Sequence, residues 1–310
     1  MPKNVILKPR IAADVDARVA RVIERLGNPE PPLTLLVVRE SLKLDFSYFS
    51  GRDEGVLQET IAKLRVAGKQ VIANPMLLLR AVRKFDLRAL YLPDRRRILL
   101  DEDQPKLKHR WNEAHEIGHS LIPWHEGAML GDNEFSLLPV CHDELEAEAN
   151  YAAGRLIFLR DRFRVECRSL LPSFKSLEAL CKRYGNTRAT TFWRCIEYWG
   201  EDAPMVGLIT GHPHRSKRQA DFDPQNPCKH FVQSALFAEH FSTTVETEVF
   251  GEIVRYCGSQ RGGTLGAAEV ILVDDNGDAH SFEFETFCYH HQTLTLGIYK
   301  APYSAILQVA

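Results

Sequence analysis

The sequence predicts an α+β protein in which helices dominate before about residue 200 and strands dominate after about residue 204. Two observations support this prediction. In the first part apolar residues recur every three or four positions, as on one face of a helix, and in the last part they alternate with polar residues, as in a half-buried strand. We therefore expect a mostly helical domain with a short β-hairpin or sheet at 1–165, a helical hairpin at 166–203 and a β-rich domain at 204–310.

The composition is that of an ordinary globular protein. Charged residues make up 26% of the 310 positions and the formal net charge is -2, so no global charge excess indicates a nucleic acid or a membrane surface as partner. Residues 1–15 lack the continuous apolar core of a secretory signal, and no segment reaches the length of a membrane span. Seven cysteines without a C-x-x-C pair favour a reducing compartment, so we expect a cytoplasmic protein.

The first 90 residues contain several predicted helices. Helical spacing predicts one helix at 14–27, where Gly-Asn-Pro ends the pattern, and a short one at 33–42. An aromatic turn is predicted at 46–51. Two further helices are predicted at 57–67 and 75–84.

Two short strands and a longer helix come next. Segments 90–92 and 97–100 have the pattern of strands about a turn. Residues 105–122 then predict a helix, with Pro105 as a start signal and Pro123 as a stop. Its apolar stripe consists of Leu107, Trp111, Ala114, Gly118 and Leu121.

This helix contains the sequence H-E-x-x-H, formed by His115, Glu116 and His119. Residues four apart lie one turn above each other, so the two imidazoles can bind one metal ion. Glu116 is rotated by about 100° from His115 and can reach a metal-bound water without being a ligand. Because unpaired polar groups in an apolar setting are costly, we interpret the motif as a zinc site rather than as two core histidines.

A catalytic zinc ion usually has three protein ligands, so one more is expected. His125 has the spacing of the metzincin pattern, but Ile122 replaces the glycine at which that chain turns. His125 also lies in a segment, 123–139, that is predicted to be a loop.

The stronger candidate lies in a helix predicted at 143–163. Glu146 and Asn150 are one turn apart, as in the E-x-x-x-D arrangement of thermolysin-like enzymes, where the first carboxylate binds zinc and the second residue orients a ligand histidine. Asn150 would then accept a hydrogen bond from His115. Periodicity alone does not decide whether Glu146 or Glu148 faces the metal, so Glu148 remains an alternative ligand. His125 remains a second alternative.

Two segments, Ala114–Leu121 and Glu146–Ala153, have the sequences A-H-E-I-G-H-S-L and E-A-E-A-N-Y-A-A. They resemble the paired motifs A-H-E-[IL]-G-H and E-x-E-A-N-x-F-A-A of the ImmA/IrrE family of metallo-endopeptidases. The resemblance covers residues 90–160 and implies a zincin-like, zinc-dependent peptidase core. It also implies a protein substrate, namely a DNA-binding repressor of the helix-turn-helix type cleaved in regulatory proteolysis. One departure is L-I-F-L-R at 156–160, where the family usually has L-L-M-P.

We therefore expect Zn²⁺ on His115, His119 and Glu146, with a metal-bound water as the nucleophile and Glu116 as the general base of peptide-bond hydrolysis. The alternative function is a regulatory DNA- or protein-binding module whose zinc is structural and whose peptidase activity is slow or absent. The intact Glu116 argues against this alternative, because a structural site has no use for a base.

The donor that stabilises the tetrahedral oxyanion is left open. Tyr151, His125 and His142 are candidates, and the sequence does not choose among them. Cys141 lies five residues before Glu146, but a lone cysteine in an intracellular protein is expected to be inert.

The strand pair at 90–100 has two interpretations. Metallopeptidases of this general type often bind the substrate as an added strand along such an edge, held by main-chain hydrogen bonds. Equally, the pair can serve only to pack the H-E-x-x-H helix.

The helical hairpin within 176–198 resembles a helix-turn-helix and suggests contact with DNA through Arg188 and Arg194. Phe192 and Ile196 instead favour packing in a core, so direct nucleic-acid binding is the less favoured interpretation. The β-rich part is predicted to contain strands at 245–256, 268–273, 279–288, 293–299 and 305–309, with a hairpin turn at 275–278.

Overall fold

The computed structural model gives the protein as a mixed α+β structure with a separate β-sheet, in agreement with the predicted class at that level. It describes residues 3–49, 89–93, 96–129, 139–212, 216, 218, 222–258 and 262–303. The chain forms two compact units. The site unit comprises Leu7–Phe163 with Tyr184–Asn186, and the sheet unit comprises Met1–Ile6, Arg164–Arg183 and Thr187–Ala310. The predicted domain boundaries at 165/166 and 203/204 stay predictions.

The site unit combines helices with a small sheet. Its described elements are α1 (Pro9–Arg25), α2 (Leu35–Leu42), β1 (Asp45–Phe49), β2 (Ala89–Leu92), β3 (Arg97–Asp101), α3 (Lys106–Leu121), α4 (Pro123–Met129) and α5 (Pro139–Ile157). The sheet order is β1-β3-β2, with β1 parallel and β2 antiparallel to β3. The predicted strand pair and the predicted H-E-x-x-H helix are thereby confirmed to within a residue or two.

Helix α1 begins earlier than the sequence predicts and ends where it predicts. Pro9 occupies its first turn, where a missing N–H has no cost. The helix ends before Gly27 and Asn28, both of which have positive φ, at 74° and 52°. Its buried face consists of Val15, Val19, Val22 and Ile23.

Three predictions for the site unit are wrong. Residues 46–51 were expected to form a turn, but residues up to Phe49 form β1, whose parallel partner β3 lies about 50 residues further along the chain. The segment after Pro123 was expected to be a loop, yet this proline opens α4, because proline fits the first turn of a helix. The helix predicted to reach residue 163 stops at Ile157, since Leu159 and Arg160 adopt left-handed conformations. The helices predicted at 57–67 and 75–84 lie outside the described residues.

The remaining elements follow α5 along the chain. They are α6 (Asp161–Arg168), α7 (Phe174–Tyr184), α8 (Arg188–Trp199), β4 (Met205–Gly211), β5 (Cys228–Gln233), α9 (Ala235–His240), α10 (Glu246–Tyr256), β6 (Gly263–Val273), β7 (Ala279–Tyr289) and β8 (Gln292–Pro302). The five strands form an antiparallel sheet in the order β5-β4-β8-β7-β6. The predicted strands at 268–273, 279–288 and 293–299 are confirmed, and the one at 305–309 lies outside the described residues.

Both faces of this sheet carry helices. On one face, α9 and α10 contribute Phe237, Phe241, Val249 and Ile253 to a core with the strands. On the other face, α8 lies on β4 so closely that a Cβ at Gly207 would come within 2.6 Å of Phe192. The hairpin residues predicted to pack therefore do so.

The prediction of a strand at 245–256 is wrong, because this segment is α10. Its β-branched residues suggested a strand. However, Val249 and Ile253 are one helical turn apart and both buried, and Glu248 bonds the backbone N–H of Val245 at the helix start. The amphipathic period of 3.6 residues outweighs the strand propensity.

Among the described residues, no helix combines the length and the apolar character that a membrane span requires.

Candidate metal centre and catalytic site

The site is built on two helices whose backbones touch. A Cβ atom on Gly118 of α3 would lie 2.7 Å from the carbonyl oxygen of Ala149 and 3.3 Å from the Cβ of Ala152, both on α5. Contact this close requires a residue without a side chain on α3 and small residues on α5. Small residues on both helices thus bring the two sequence motifs together.

Three predicted ligands meet between these helices. The Nε2 atoms of His115 and His119 are 3.1 Å apart. Glu146 places Oε2 3.1 Å from His115 Nε2 and Oε1 3.5 Å from His119 Nε2. One ligand atom from each of the three residues lies within 4.8 Å of the other two.

These separations fit a tetrahedral zinc ion. Two Zn–N bonds of about 2.0–2.1 Å at the tetrahedral angle separate their nitrogens by about 3.3 Å. The three contacts of 3.1, 3.1 and 3.5 Å bracket that value. Two neutral imidazoles and one carboxylate are also a donor set that zinc commonly takes in catalytic sites.

The orientation of His115 suits the same ion. Its Nδ1 atom lies 3.0 Å from Oδ1 of Asn150, one turn after Glu146 on α5. Nδ1–H donates to this amide oxygen, which leaves the Nε2 lone pair for a metal. This is the contact that the spacing of Glu146 and Asn150 predicts.

His115 and Glu146 stabilise each other's charged forms. Burial alone would lower the pKa of His115, but the hydrogen bond to Glu146 and the charge of Glu116 raise it above its ordinary value. Burial alone would raise the pKa of Glu146, but the hydrogen bonds to His115 and His119 hold it below its ordinary range. Glu146 is the most open of the three ligands, with 39% of its side chain exposed.

Glu116 lies next to the candidate ligands and away from bulk water. Only 5% of its surface is exposed. Burial raises the pKa of its carboxyl group, while His115, His119 and a hydrogen bond from the backbone of Tyr91 on β2 lower it. The carboxyl group is therefore situated near both the histidines and strand β2.

The two alternative ligands lie on the far side of His119. The Nδ1 atom of His125, on α4, is 2.9 Å from Nδ1 of His119, and its Nε2 atom is 2.9 Å from Oε2 of Glu148. Burial lowers the pKa of His125 to about 3, which keeps the ring neutral. The structure thus brings Glu146, rather than His125 or Glu148, to the Nε2 atoms of the motif.

The candidate oxyanion donors have different positions. The hydroxyl of Tyr151 donates to Asp16 on α1 at 3.0 Å, which connects α1 with α5. His125 contacts His119 and Glu148. The side chains of His142 and Cys141 lie outside what the structure describes.

Two residues at the site were missed by the sequence analysis. Trp124 donates from Nε1 to Glu148 at 2.6 Å, and the backbone of Tyr91 reaches Glu116. The first could have been suspected because Trp124 and His125 follow directly on the proline that ends the motif helix. The second depends on how β2 lies beside α3, and no sequence spacing encodes it.

In the helical hairpin, the two arginines that suggested DNA binding have acidic partners. Arg188 pairs with Glu178, and Arg194 Nη1 lies 2.6 Å from Glu197. Phe192 and Ile196 are buried. Direct nucleic-acid binding through 176–198 stays the less favoured interpretation.

Comparisons with known proteins leave the function open. Neither a family model nor a curated protein matches the chain. Among solved structures, a Mycobacterium tuberculosis transcriptional regulator aligns over 92% of this chain and 88% of its own, with 12% sequence identity and a TM-score of 0.47. At this level of similarity the match assigns neither a fold nor a function.

Proposed function

We propose that the protein is a zinc-dependent endopeptidase with a zincin-like core, of the ImmA/IrrE type that its two motifs resemble. One observation carries the proposal. Ligand atoms of His115, His119 and Glu146 lie within 4.8 Å of one another, and the buried carboxyl group of Glu116 is adjacent. Ligands alone would suit a structural ion, whereas a buried base beside them suits hydrolysis.

The three ligands would hold Zn²⁺ through two Nε2 atoms and a carboxylate oxygen. When bound, the ion supplies Lewis acidity, which makes water a better nucleophile and polarises a carbonyl group. Asn150 keeps His115 in the tautomer that this binding needs.

Glu116 moves the proton. Its carboxylate oxygen accepts a proton from the attacking water as the water oxygen bonds to the scissile carbonyl carbon. The same oxygen returns that proton to the amide nitrogen as the C–N bond breaks, so the products are a carboxyl group and an amine. Burial favours this role, because a raised pKa lets the carboxyl group hold the proton between the two steps.

The substrate backbone is proposed to lie along β2. In the part of the chain that the structure describes, β2 pairs only with β3 and ends the small sheet. The backbone of Tyr91 on this strand reaches Glu116, so a peptide paired with β2 would pass the base. The resemblance to the ImmA/IrrE family supports a helix-turn-helix repressor as the substrate.

The test compares Glu116→Gln with Glu144→Gln, a control on α5 that removes an exposed carboxylate. Wild type and both variants should bind one zinc ion per chain, measured by elemental analysis. Glu116→Gln should cut a candidate repressor about 10²–10⁴ times more slowly, and Glu144→Gln should cut at the wild-type rate. The inactive variant also serves to capture the substrate from a lysate.

Two results would overturn the proposal. A Glu116→Gln protein that binds zinc and cuts at the wild-type rate would exclude Glu116 as the base. If wild type binds zinc, cuts no captured protein and binds DNA, the regulatory module with a structural zinc is the correct function. Replacing Glu146 with Gln should lower zinc stoichiometry, and full retention of metal would exclude it as a ligand.

A further inference from the structure

A chain of hydrogen bonds extends from His119 away from the candidate metal centre. His119 Nδ1 lies 2.9 Å from His125 Nδ1, and His125 Nε2 lies 2.9 Å from Glu148 Oε2. The same carboxylate oxygen accepts a hydrogen bond of 2.6 Å from Trp124 Nε1. His125 is fully buried and Glu148 is 9% exposed, whereas Trp124 at the end of the chain is 38% exposed.

With Glu148 ionised and His125 neutral, the protons in this chain follow from donor and acceptor chemistry. The indole N–H of Trp124 can only donate, and a carboxylate can only accept, so Glu148 accepts from both Trp124 and His125. His125 therefore carries its proton on Nε2, and as a neutral ring it has an acceptor at Nδ1. His119 must then donate from Nδ1, which leaves its Nε2 lone pair directed toward His115 and Glu146.

His125 is positioned by helix α4, in a segment that the sequence predicts to be a loop. Helix α3 ends at Leu121, and Pro123 immediately opens α4. The backbone N–H of His125 bonds the carbonyl oxygen of Ile122 at 3.0 Å, within the first turn of α4. This turn carries the imidazole back against His119 instead of leaving it in solvent.

We propose that His125 and Glu148 are positioning residues, which fix His119 in the tautomer that presents Nε2 to zinc and strengthen its electron donation through the carboxylate at the end of the chain. The proposal rests on the zinc site of the proposed function. Each ligand histidine would then have its own support on Nδ1: an amide for His115, and a histidine backed by a carboxylate for His119.

The first test reads the tautomers directly in the wild-type protein. In zinc-loaded, uniformly ¹⁵N-labelled protein, two-bond ¹H–¹⁵N spectra should place the proton of His119 on Nδ1 and that of His125 on Nε2. A His125 ring with its proton on Nδ1 would overturn the proposal. Because this measurement needs no variant, it holds even if a substitution prevents folding.

The second test measures zinc affinity by competition with a chromophoric chelator. His125→Phe removes the acceptor and should weaken zinc binding roughly 10–100-fold. His125→Asn keeps an oxygen at the position of Nδ1 and should recover part of the loss, whereas a purely space-filling role would favour Phe over Asn. Glu148→Gln keeps the shape of the side chain but removes its charge. It should weaken zinc binding less than His125→Phe does.

A matched control is His109→Phe. His109 lies on α3, contacts the carbonyl oxygen of Gln104 and takes no part in the hydrogen bonds between His119, His125 and Glu148. It should leave zinc affinity unchanged. If wild type binds no zinc, the proposed function itself fails. If wild type binds zinc tightly and His125→Phe binds it equally well, only the positioning role fails.

Discussion

A Cβ atom built on Gly118 would lie 2.7 Å from the carbonyl oxygen of Ala149, so α3 and α5 touch through their backbones beside the candidate metal centre. Real Cβ atoms do not approach a backbone oxygen this closely, and neither backbone can move without its helix. This contact lets His115 on α3 and Glu146 on α5 come within 3.1 Å of each other. The glycine inside H-E-I-G-H therefore sets the distance between the two halves of the site.

We expect Gly118→Ala to destabilise the protein and weaken zinc binding. Alanine is the better helix former by about 1 kcal/mol, but overpacking against a backbone costs roughly 1–3 kcal/mol and moves the ligands apart. Urea denaturation and chelator competition would measure the two effects.

Gly251→Ala is the control for helix propensity. Gly251 lies in α10, and a Cβ there would meet no atom within 4 Å. This variant should be more stable than wild type by about 0.5–1 kcal/mol and should bind zinc normally. If Gly118→Ala were also more stable than wild type and bound zinc with unchanged affinity, the close backbone contact between α3 and α5 would be excluded.

Asn150→Leu should weaken zinc binding while the fold stays intact. Leucine matches asparagine in size but cannot accept the Nδ1–H of His115, so the ring loses its preferred tautomer. We expect a loss of roughly 10–100-fold in zinc affinity. Asn150→Asp keeps the acceptor and should bind zinc at least as tightly as wild type; equal affinities for Leu and Asp would exclude the orienting role.

Local signals in the sequence were sufficient to predict the elements that carry the site. Pro105 and the apolar stripe locate α3, which spans Lys106–Leu121. The likeness of Glu146 and Asn150 to the E-x-x-x-D arrangement of thermolysin-like enzymes was sufficient to predict the contact between Asn150 and His115.

Some features that depend on contacts distant in sequence were not predicted. Strand β1 exists because it pairs with β3, and five residues around Tyr48 contain too little pattern to indicate that partner. The hydrogen bond between Trp124 and Glu148 connects α4 with α5. These helices are separated in sequence by residues 130–138, for which the sequence predicts no regular structure. In α10 the helical period that buries Val249 and Ile253 outweighs the strand preference of its β-branched residues.

Asp16→Ala should destabilise the site unit strongly. Asp16 on α1 bonds the guanidinium of Arg155 and accepts from the Tyr151 hydroxyl on α5. The Arg155 side chain is 6% exposed, so removing Asp16 takes a close partner from a buried charge, and a second carboxylate partner, Asp161, is 60% exposed. We expect a loss of roughly 3 kcal/mol in the free energy of unfolding, measured in urea.

The control for Asp16 is Asp14→Ala on the same helix. Asp14 pairs with Arg18 one turn away, and its side chain is 42% exposed. Exposed pairs of this kind contribute little, so the change should stay below about 0.5 kcal/mol. Comparable losses for the two variants would mean that α1 is sensitive to any loss of acidic residues and that the buried pair has no special role.

The turn between β6 and β7 should make the sheet unit sensitive to acid through Asp275. Its carboxylate accepts from the backbone N–H of Ser242 at 3.0 Å and from the backbone N–H and hydroxyl of Thr243 at 3.1 and 3.0 Å. These hydrogen bonds, with Ser242 contributing most, lower the pKa of Asp275 to about 2. Because the folded value is below the ordinary value of about 3.9, the ionised carboxylate stabilises the fold above pH 4.

That stabilisation should disappear as the pH falls from about 4 to about 2. A carboxyl ¹³C titration should place the midpoint of Asp275 near 2, and Thr243→Val, which removes one donor, should move it upward. Asp275→Asn should be less stable than wild type at pH 7, and the difference should narrow as the pH is lowered through this range. A midpoint at the ordinary aspartate value would mean that the three hydrogen bonds do not form in solution, and the difference between Asp275→Asn and wild type would then show no such narrowing.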